Sequence, residues 1–488
     1  MKTGILYISL IIVLALTSCH DFLTKYPKDT VYPSCTDDFH ELLIGDGYLS
    51  GPTRWDIGKW LNLMDDDVEY TRTVTAVSTS TQLYLKFYNW EANPDAEPTW
   101  SNLYKHISCL NTILSEIDDF KDEKGDGYRR IKGESHFLRA GYYFFLTNIY
   151  AKPYSKTTAN RELGIPLKLT AKIEDRNFTR NTLQECYDQM ISDLQNATVC
   201  LKGIDQPTTF WASAEAAHLL LSRLYLYMGE WDKCVEHCDS VMKKTKYHLL
   251  DYNTVTAGKT LSATSPETIF TNGGNSYGGS NELYMYMYRS FFRVRDEFLK
   301  LYAQGDLRNK LFFKSGNFGG ARYNYPNKQA SSAEGEYSDT FGLRLSEAYL
   351  NKAEALAILG KEAEAIELLK ALRAKRFADK NGGEITQNGE DLVNFIRTER
   401  RLEFTFEGHR WFDLRRYAVS PKYPSETSIR HPYYEDGSAV TLSDMVLGKY
   451  SAEPSGWTLL LPEDEITENQ GALIQNEGRK DRQPESKE

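Results

Sequence analysis

Beyond its first 18 residues the 488-residue sequence has no apolar stretch of the roughly 20 residues that a bilayer-spanning helix needs. Its body is therefore expected to lie outside the membrane. Net positive charge is also missing: 58 Lys and Arg stand against 68 Asp and Glu, a formal charge of −10. Such a surface repels nucleic-acid phosphates, so no nucleic-acid partner is expected. EF-hand spacing, a nucleophile elbow and a zinc-protease helix are absent too. No catalytic residue, metal or cofactor is assigned on these grounds. Cysteine is scarce, with seven in the chain. Cys186 and Cys200 fall on one predicted helix about 21 Å apart at 1.5 Å per residue, too far to bridge. Cys234 and Cys238 share a helix face near His237, but no second ligand pair at zinc-like spacing follows. These thiols read as small buried side chains.

What is present begins with Lys2, an apolar run from Ile5 to Leu16, and then Leu16-Thr17-Ser18-Cys19. The run is too short for a permanent anchor and reads as a signal peptide over residues 1–18. The tetrapeptide resembles a bacterial lipobox. That resemblance implies cleavage before Cys19, a diacylglyceryl thioether on its sulfur and an acyl group on its new amine. Two or three acyl chains, at about 0.8 kcal/mol per methylene, suffice to hold an otherwise soluble body on a membrane. A single acidic residue, Asp21, follows where surface-exported lipoproteins of this type often carry several, so display toward the exterior is expected.

Helical periodicity dominates the mature chain, residues 19–488, which is expected to form one domain. Its N-terminal part runs to about 250, its C-terminal part over about 251–475, and a flexible solvated tail over 476–488. Ala217, Leu220, Leu221, Leu224 and Met228 recur at helical spacing, and a second helix follows the Gly229-Glu230-Trp231 turn. Leu345, Tyr349, Ala353 and Leu356, then Gly360 and Ala365, Ile366 and Leu369, repeat the arrangement. Aligning Gly229 with Gly360 sets Cys234 on Ala365 and Val235 on Ile366, the spacing of a tetratricopeptide helix pair. The segment from Gly133 to Tyr150 is apolar on all sides, as expected of a wholly buried helix. Thr182 and Glu185 have capping-box spacing. The fold class expected is mainly α: a tetratricopeptide-like scaffold of about four irregularly spaced helix pairs, with little β structure.

Three long excursions interrupt it, residues 45–98, 250–340 and 418–460, rich in Gly, Ser, Asn, Thr and Tyr. Such segments are usually functional. Asp65, Asp66, Asp67 and Glu69 form an acidic cluster, read as a solvated run or turn caps rather than a calcium site. The same reading covers Asp122, Glu123 and Asp126. In the block from Glu399 to Arg416, paired carboxylates are the groups a glycosidase needs. Glu403 and Glu407 are nevertheless expected to be held by Arg400 and Arg410 in a network that locks a helical corner, with Gly408 left-handed between two helices.

Several motifs resemble those of the SusD/RagB family. They are Gly133-Glu134 with Phe137-Leu138-Arg139-Ala140 and Tyr142-Tyr143; Asp193-Leu194 with Ala197; Leu345-Ser346-Glu347-Ala348-Tyr349-Leu350-Asn351-Lys352-Ala353-Glu354-Ala355; and Ile396, Glu399, Arg400, Glu403, Phe404, Phe406-Glu407-Gly408, Arg410, Trp411, Asp413-Leu414 and Arg416. Leu461-Pro462, Glu465-Ile466 and Asn469 complete the series, in the family's order. The resemblance implies a non-catalytic lipoprotein of the outer-membrane surface. It would bind an oligosaccharide, or in one branch of the family a peptide, and pass it to a SusC-like TonB-dependent transporter. A lipid-anchored hydrolase using Asp66 or Glu403 is the rival reading. A structural adaptor that holds another protein on its concave helical face is a second. Sugars present flat apolar faces to aromatic rings and hydroxyls to polar groups. The candidate ligand residues are accordingly those in the excursions: Arg72, Tyr84, Tyr277, Tyr284, Tyr286, Tyr288, Tyr323 and Tyr325. For Tyr284, Tyr286 and Tyr288 an alternating half-buried strand is an equal reading. Tyr277 lies among Gly273, Gly274, Gly278 and Gly279, whose permissive backbone suits a loop around a ligand.

Overall fold

The computed structural model describes residues 33–49, 57–58, 60–71, 79–92, 99–273, 292–318, 321–328, 337–338, 340–434 and 443–487. Among them are fifteen α-helices: α1 Thr36–Leu42, α2 Leu61–Met64, α3 Thr79–Tyr88, α4 Thr99–Glu116, α5 Gly127–Tyr150, α6 Leu183–Cys200, α7 Ala214–Met228, α8 Trp231–Met242, α9 Asp296–Leu299, α10 Leu307–Leu311, α11 Leu345–Ile358, α12 Glu362–Arg373, α13 Gly389–Glu403, α14 Arg410–Ala418 and α15 Glu463–Glu468. Nine short strands accompany them: β1 Val68–Tyr70, β2 Thr268–Thr271, β3 Phe292–Val294, β4 Phe313–Phe318, β5 Ala321–Pro326, β6 Gly342–Arg344, β7 Ile429–Tyr433, β8 Ser443–Leu447 and β9 Glu485–Ser486. The mainly α class holds.

Both tetratricopeptide-like pairs form as the spacing predicts. Gly229 (φ 74°) and Gly360 (φ 80°) take the left-handed conformation that closes α7 and α11, where a β-carbon would be strained. Their counterparts one helix on, Cys234 and Ala365, are both fully buried. Helix α8 packs on α7 and on α11, and α11 on α12 and α13, so the two pairs stack as a unit. Upstream, α4 lies on α5, α5 on α6 and α6 on α7. From Gly133 to Tyr150, α5 is buried at every position. The Thr182–Glu185 box is made in both directions: Thr182 Oγ1 accepts from the Glu185 amide at 3.2 Å, and Glu185 Oε2 from the Thr182 amide at 2.8 Å. The four buried or partly buried thiols of α6 and α8 are free. His237 meets His218, Nδ1 to Nδ1 at 2.9 Å, rather than a thiol–metal set.

Two expectations are corrected. The tail is not a free solvated segment. Arg479 is buried and donates to the Thr458 carbonyl at 3.1 Å, Arg482 pairs with Glu453 and stands over the Trp90 ring at 5.7 Å, and β9 extends the β7–β8 hairpin. Its Arg side chains, read from sequence as solvating, instead satisfy carbonyls and a carboxylate of the body. The excursions also hold more regular structure than their lack of periodicity predicts, because strands of three to six residues are too short to show a period. Antiparallel pairs β1–β3, β2–β6, β4–β5 and β7–β8 all lie in or border them.

Charged groups on α5 and α6 inside this core are partnered. Asp193 holds His136 at 2.7 Å and Arg139 at 2.6 and 2.9 Å, tying α6 to α5. Glu134, wholly buried on α5, accepts from Tyr48 Oη at 2.6 Å, Gln206 Nε2 at 3.0 Å and Arg130 Nη1 at 3.4 Å. Burial pushes its carboxyl up to about 7 against the pull of those donors. The folded chain thus holds this proton more tightly than the unfolded chain does. The associated stability is full below about pH 4.5 and lost as pH rises through about 7. Relative to Glu134→Gln, the wild type is expected to lose about 3 kcal/mol between pH 4.5 and 8. Urea unfolding across that range measures it; parallel profiles would contradict the assignment.

Candidate ligand-binding site

The three excursions converge. Strand β1 of the first pairs with β3 of the second, Val68 opposite Val294 and Tyr70 opposite Phe292, and β1 also touches β7 of the third. Their meeting point is His431 on β7, fully buried between two rings of the first excursion, Tyr88 at 4.0 Å and Trp90 at 4.2 Å. Its Nδ1 lies 2.7 Å from the Tyr88 carbonyl and its Nε2 2.7 Å from that of Asp65. Burial pushes its pKa down to about 4, outweighing both carbonyls. Trp90 reaches this position through a left-handed backbone (φ 51°) just past α3, uncommon for a bulky residue, and its Nε1 donates to the Met64 carbonyl at 3.0 Å. Around the junction a second aromatic core assembles, with Tyr70, Tyr88, Phe292, Phe298, Tyr302, Phe313 and Phe406 buried, and Tyr84 and Tyr434 half-buried on its edge.

The predicted ligand residues distribute as follows. Tyr84 is on α3, where its ring packs on this core and stays partly exposed. Tyr323 and Tyr325 are buried on β5, only 5% and 4% exposed, so they back the face rather than form it. The Tyr325 hydroxyl end lies across Gly316 of the paired strand, where an added Cβ would come within 2.7 Å of it. Tyr434 was missed. It lies close to Tyr323, Glu69 and Arg293, and burial pushes its phenol up. The Pro432-Tyr433-Tyr434 run inside the third excursion was the signal that pointed to it. Arg72, Tyr277, Tyr284, Tyr286 and Tyr288 lie outside the described residues, as does Cys19.

The acidic cluster is not a solvated run. Asp65 and Asp67 are buried. Asp66 takes both ends of the Arg410 fork, at 2.7 and 2.9 Å, and Arg401 lies 3.1 Å from Asp66 and 2.5 Å from Asp67. Although the three carboxylates lie within 4.8 Å of one another, two guanidiniums already pair with Asp66 and Asp67, which suits an ion-pair cluster better than calcium. Burial, with Asp67 and Asp66 beside it, pushes Asp65 well above the usual carboxylate range; the Arg410 and Arg401 charges outweigh burial at Asp66 and hold it below. Glu123 does behave as a cap, accepting from the Thr36 amide and hydroxyl at 3.1 and 2.8 Å.

The block from Glu399 to Arg416 locks a corner, but through other cations than expected. Glu403, fully buried, is held by Arg308 (3.3 Å), Arg344 (2.6 Å) and Arg376 (2.7 Å). Glu407 is held by Arg344 (2.8 Å) and Lys328 (2.5 Å). Arg400 instead pairs with Asp413 at 2.8 Å, and Arg410 with Asp66. Those cations come from distant segments, which no local spacing reveals. Phe406 (φ 59°) and Gly408 (φ 72°) bend the chain between α13 and α14. Three guanidiniums overcome burial and hold Glu403 well below the usual range, and Asp66 is likewise held low by arginines, so neither carries a proton to donate as a general acid near neutrality.

A family model described as the SusD family matches residues 268–478, and one described as starch-binding, associating with outer membrane, matches 58–226. The chain belongs to the SusD/RagB family. A SusD-like protein of Formosa agariphila is 43% identical over 77 residues, a match spanning 14% of this chain and 15% of that protein. A SusD superfamily protein of Bacteroides thetaiotaomicron has the same fold, with TM-score 0.71 and 22% identity over 91% of this chain and 100% of that one. So does a SusD-like carbohydrate-binding protein of Bacteroides vulgatus, with TM-score 0.69 and 19% identity over 90% and 97% of the two chains. The SusD fold thus places the helix pairs as a frame and the aromatic junction where its excursions meet.

His431→Ala removes a buried ring stacked on two others, and is expected to cost about 3 kcal/mol of stability. Urea unfolding measures the loss; a change below about 1 kcal/mol would show that His431 does not join the excursions.

Proposed function

We propose that this SusD/RagB protein is a lipid-anchored binding protein of the outer-membrane surface that captures oligosaccharides and delivers them to a SusC-like TonB-dependent transporter. The observation that carries the reading is the convergence of three excursions of a SusD fold on one aromatic core with half-buried tyrosines at its edge. Support comes from the starch-binding, outer-membrane description of the family model over residues 58–226, and from the carbohydrate-binding relative of the same fold. The anchor is the acylated Cys19, facing the exterior. No helix of the described residues is long and apolar enough to cross a membrane.

In this reading Tyr84 and Tyr434 offer rings for the apolar faces of sugar units, with Arg72, Tyr277, Tyr284, Tyr286 and Tyr288 contributing further contacts from the same excursions. Tyr323 and Tyr325 hold the hairpin behind them. Delivery requires grip and release and no bond cleavage. This fits carboxylates that are engaged by arginines rather than poised for proton transfer.

Electrophoresis in native gels carrying soluble starch or other polysaccharides tests the proposal. Retardation by at least one polysaccharide without new reducing ends is expected; reducing ends, or no retardation by any, would overturn it. Tyr84→Ala is expected to weaken binding by about 1 kcal/mol, roughly five-fold in Kd, with the fold intact. Tyr325→Ala should instead lower stability by about 3 kcal/mol.

A further inference from the structure

Asn394, Arg397, Thr398 and Arg401 recur at three- and four-residue spacing on α13 and so share one face of the helix. With Arg410 at the start of α14 and Tyr417 at its other end, they line a pocket of about 280 Å³. Three guanidiniums therefore border one cavity. Arg397 donates through Nε to Glu354 at 3.1 Å and through Nη1 to the Tyr423 carbonyl at 2.7 Å, and its ring-facing plane lies 4.4 Å from the centre of the Tyr417 ring. Its Nη2 is buried and has no acceptor among the described residues. Arg410 engages Asp66 through Nε and Nη2, and Arg401 engages Asp66 and Asp67 through the same two atoms. Both side chains keep some solvent exposure, 16% for Arg401 and 13% for Arg410.

A buried guanidinium nitrogen without a partner is costly; Arg397 supplies one, and the partly exposed guanidiniums of Arg401 and Arg410 beside it make the lining of the cavity cationic. Planar oxyanions, carboxylate above all, match the guanidinium fork. The amide of Asn394 and the hydroxyl of Thr398, both on exposed residues at the rim, suit the hydroxyls of an attached sugar ring. The cavity sits near the lower end of small-molecule sites, room for one such unit. Local charge favours an anion as well. Arg397, Arg400, Arg401, Arg410 and Arg416 face the carboxylates of Glu354, Asp66, Asp67 and Asp413, while burial keeps Asp65 from adding to the negative side.

We propose that this pocket between α13 and α14 binds the carboxylate or sulfate group of an acidic saccharide unit. Its cationic side chains come from scaffold helices, with Leu301, Ser425 and Thr427 of the excursions completing the wall, and none of the proposed ligand tyrosines lines it, so it stands or falls independently of the aromatic face.

Isothermal titration of the full chain at constant ionic strength with glucuronate, inorganic sulfate, glucose 6-sulfate and glucose tests it. Saturable one-site binding is expected for glucuronate, glucose 6-sulfate or both, and none for glucose. Inorganic sulfate binding as tightly as the sulfated sugar would assign recognition to the anion alone; weaker binding would assign part of it to the sugar ring. Thr398→Asp and Asn394→Asp place a carboxylate at the exposed rim without touching a buried pair. Each is expected to weaken binding about ten-fold while circular dichroism stays unchanged. Tyr84→Ala should leave it unaltered, which separates this pocket from the aromatic face. No saturable heat with either acidic sugar, or affinities unaffected by both rim variants, would overturn the proposal.

Discussion

The segments that carry the proposed binding face are fastened by a buried cluster of guanidiniums and carboxylates centred on Glu403. Arg308 of α10, Arg344 of β6 and Arg376 just beyond α12 all donate to it. Those cations are shared with Asp306, Glu399, Glu267 and Glu407. Lys328 adds bonds to the carbonyls of Glu403 and Thr405 at 2.9 and 3.1 Å, capping the C-terminus of α13 with positive charge. Removing such charges from water costs several kcal/mol per ion, and only near-complete pairing offsets it. The arrangement therefore tolerates little displacement of any member. It brings segments far apart in sequence to one place, which a purely apolar core of similar size would do with less specificity of register.

A second cluster extends this logic into the scaffold. Asp413 and Glu354 bridge Arg400, Arg416 and Arg397, and Arg223 of α7 meets Glu347 of α11 at 2.6 Å. Tetratricopeptide-like pairs are thereby joined to the α13–α14 corner, and the acidic triad after α2 is joined to the same corner through Arg401 and Arg410. The aromatic junction around His431 rests on this frame, since Asp65, whose carbonyl meets the imidazole, belongs to that triad. Carboxylates that might have suggested hydrolysis are engaged by arginines here.

Much of the frame was legible in the sequence. Periodicity around Gly229 and Gly360 located two helix pairs, the unbroken apolarity from Gly133 to Tyr150 marked the central helix, and Thr182 and Glu185 marked the start of another. Motif residues such as Asp193, Glu347, Glu403 and Asp413 carried the family resemblance because each satisfies a buried arginine. Partners were another matter. That Glu403 would meet Arg308, Arg344 and Arg376 depends on tertiary approach, and i,i+4 reasoning offered only Arg400 and Arg410, which turn elsewhere. Asp65 to Asp67 looked solvated because burial of a charged run is rare without cations supplied from more than 300 residues away. Among candidate ligand rings, Tyr84 sits half-buried at the edge of the second aromatic core. Tyr323 and Tyr325 do not, because a hairpin strand alternates faces and both fall on the covered one.

Hydrogen exchange on Glu403→Gln against the wild type tests the central claim most directly. If the cluster fastens the excursions to the frame, amides of β3, α9, α10 and the β4–β5 hairpin are expected to lose protection while α7 and α8 keep theirs. A uniform loss across the chain, or protection unchanged in those segments, would contradict it.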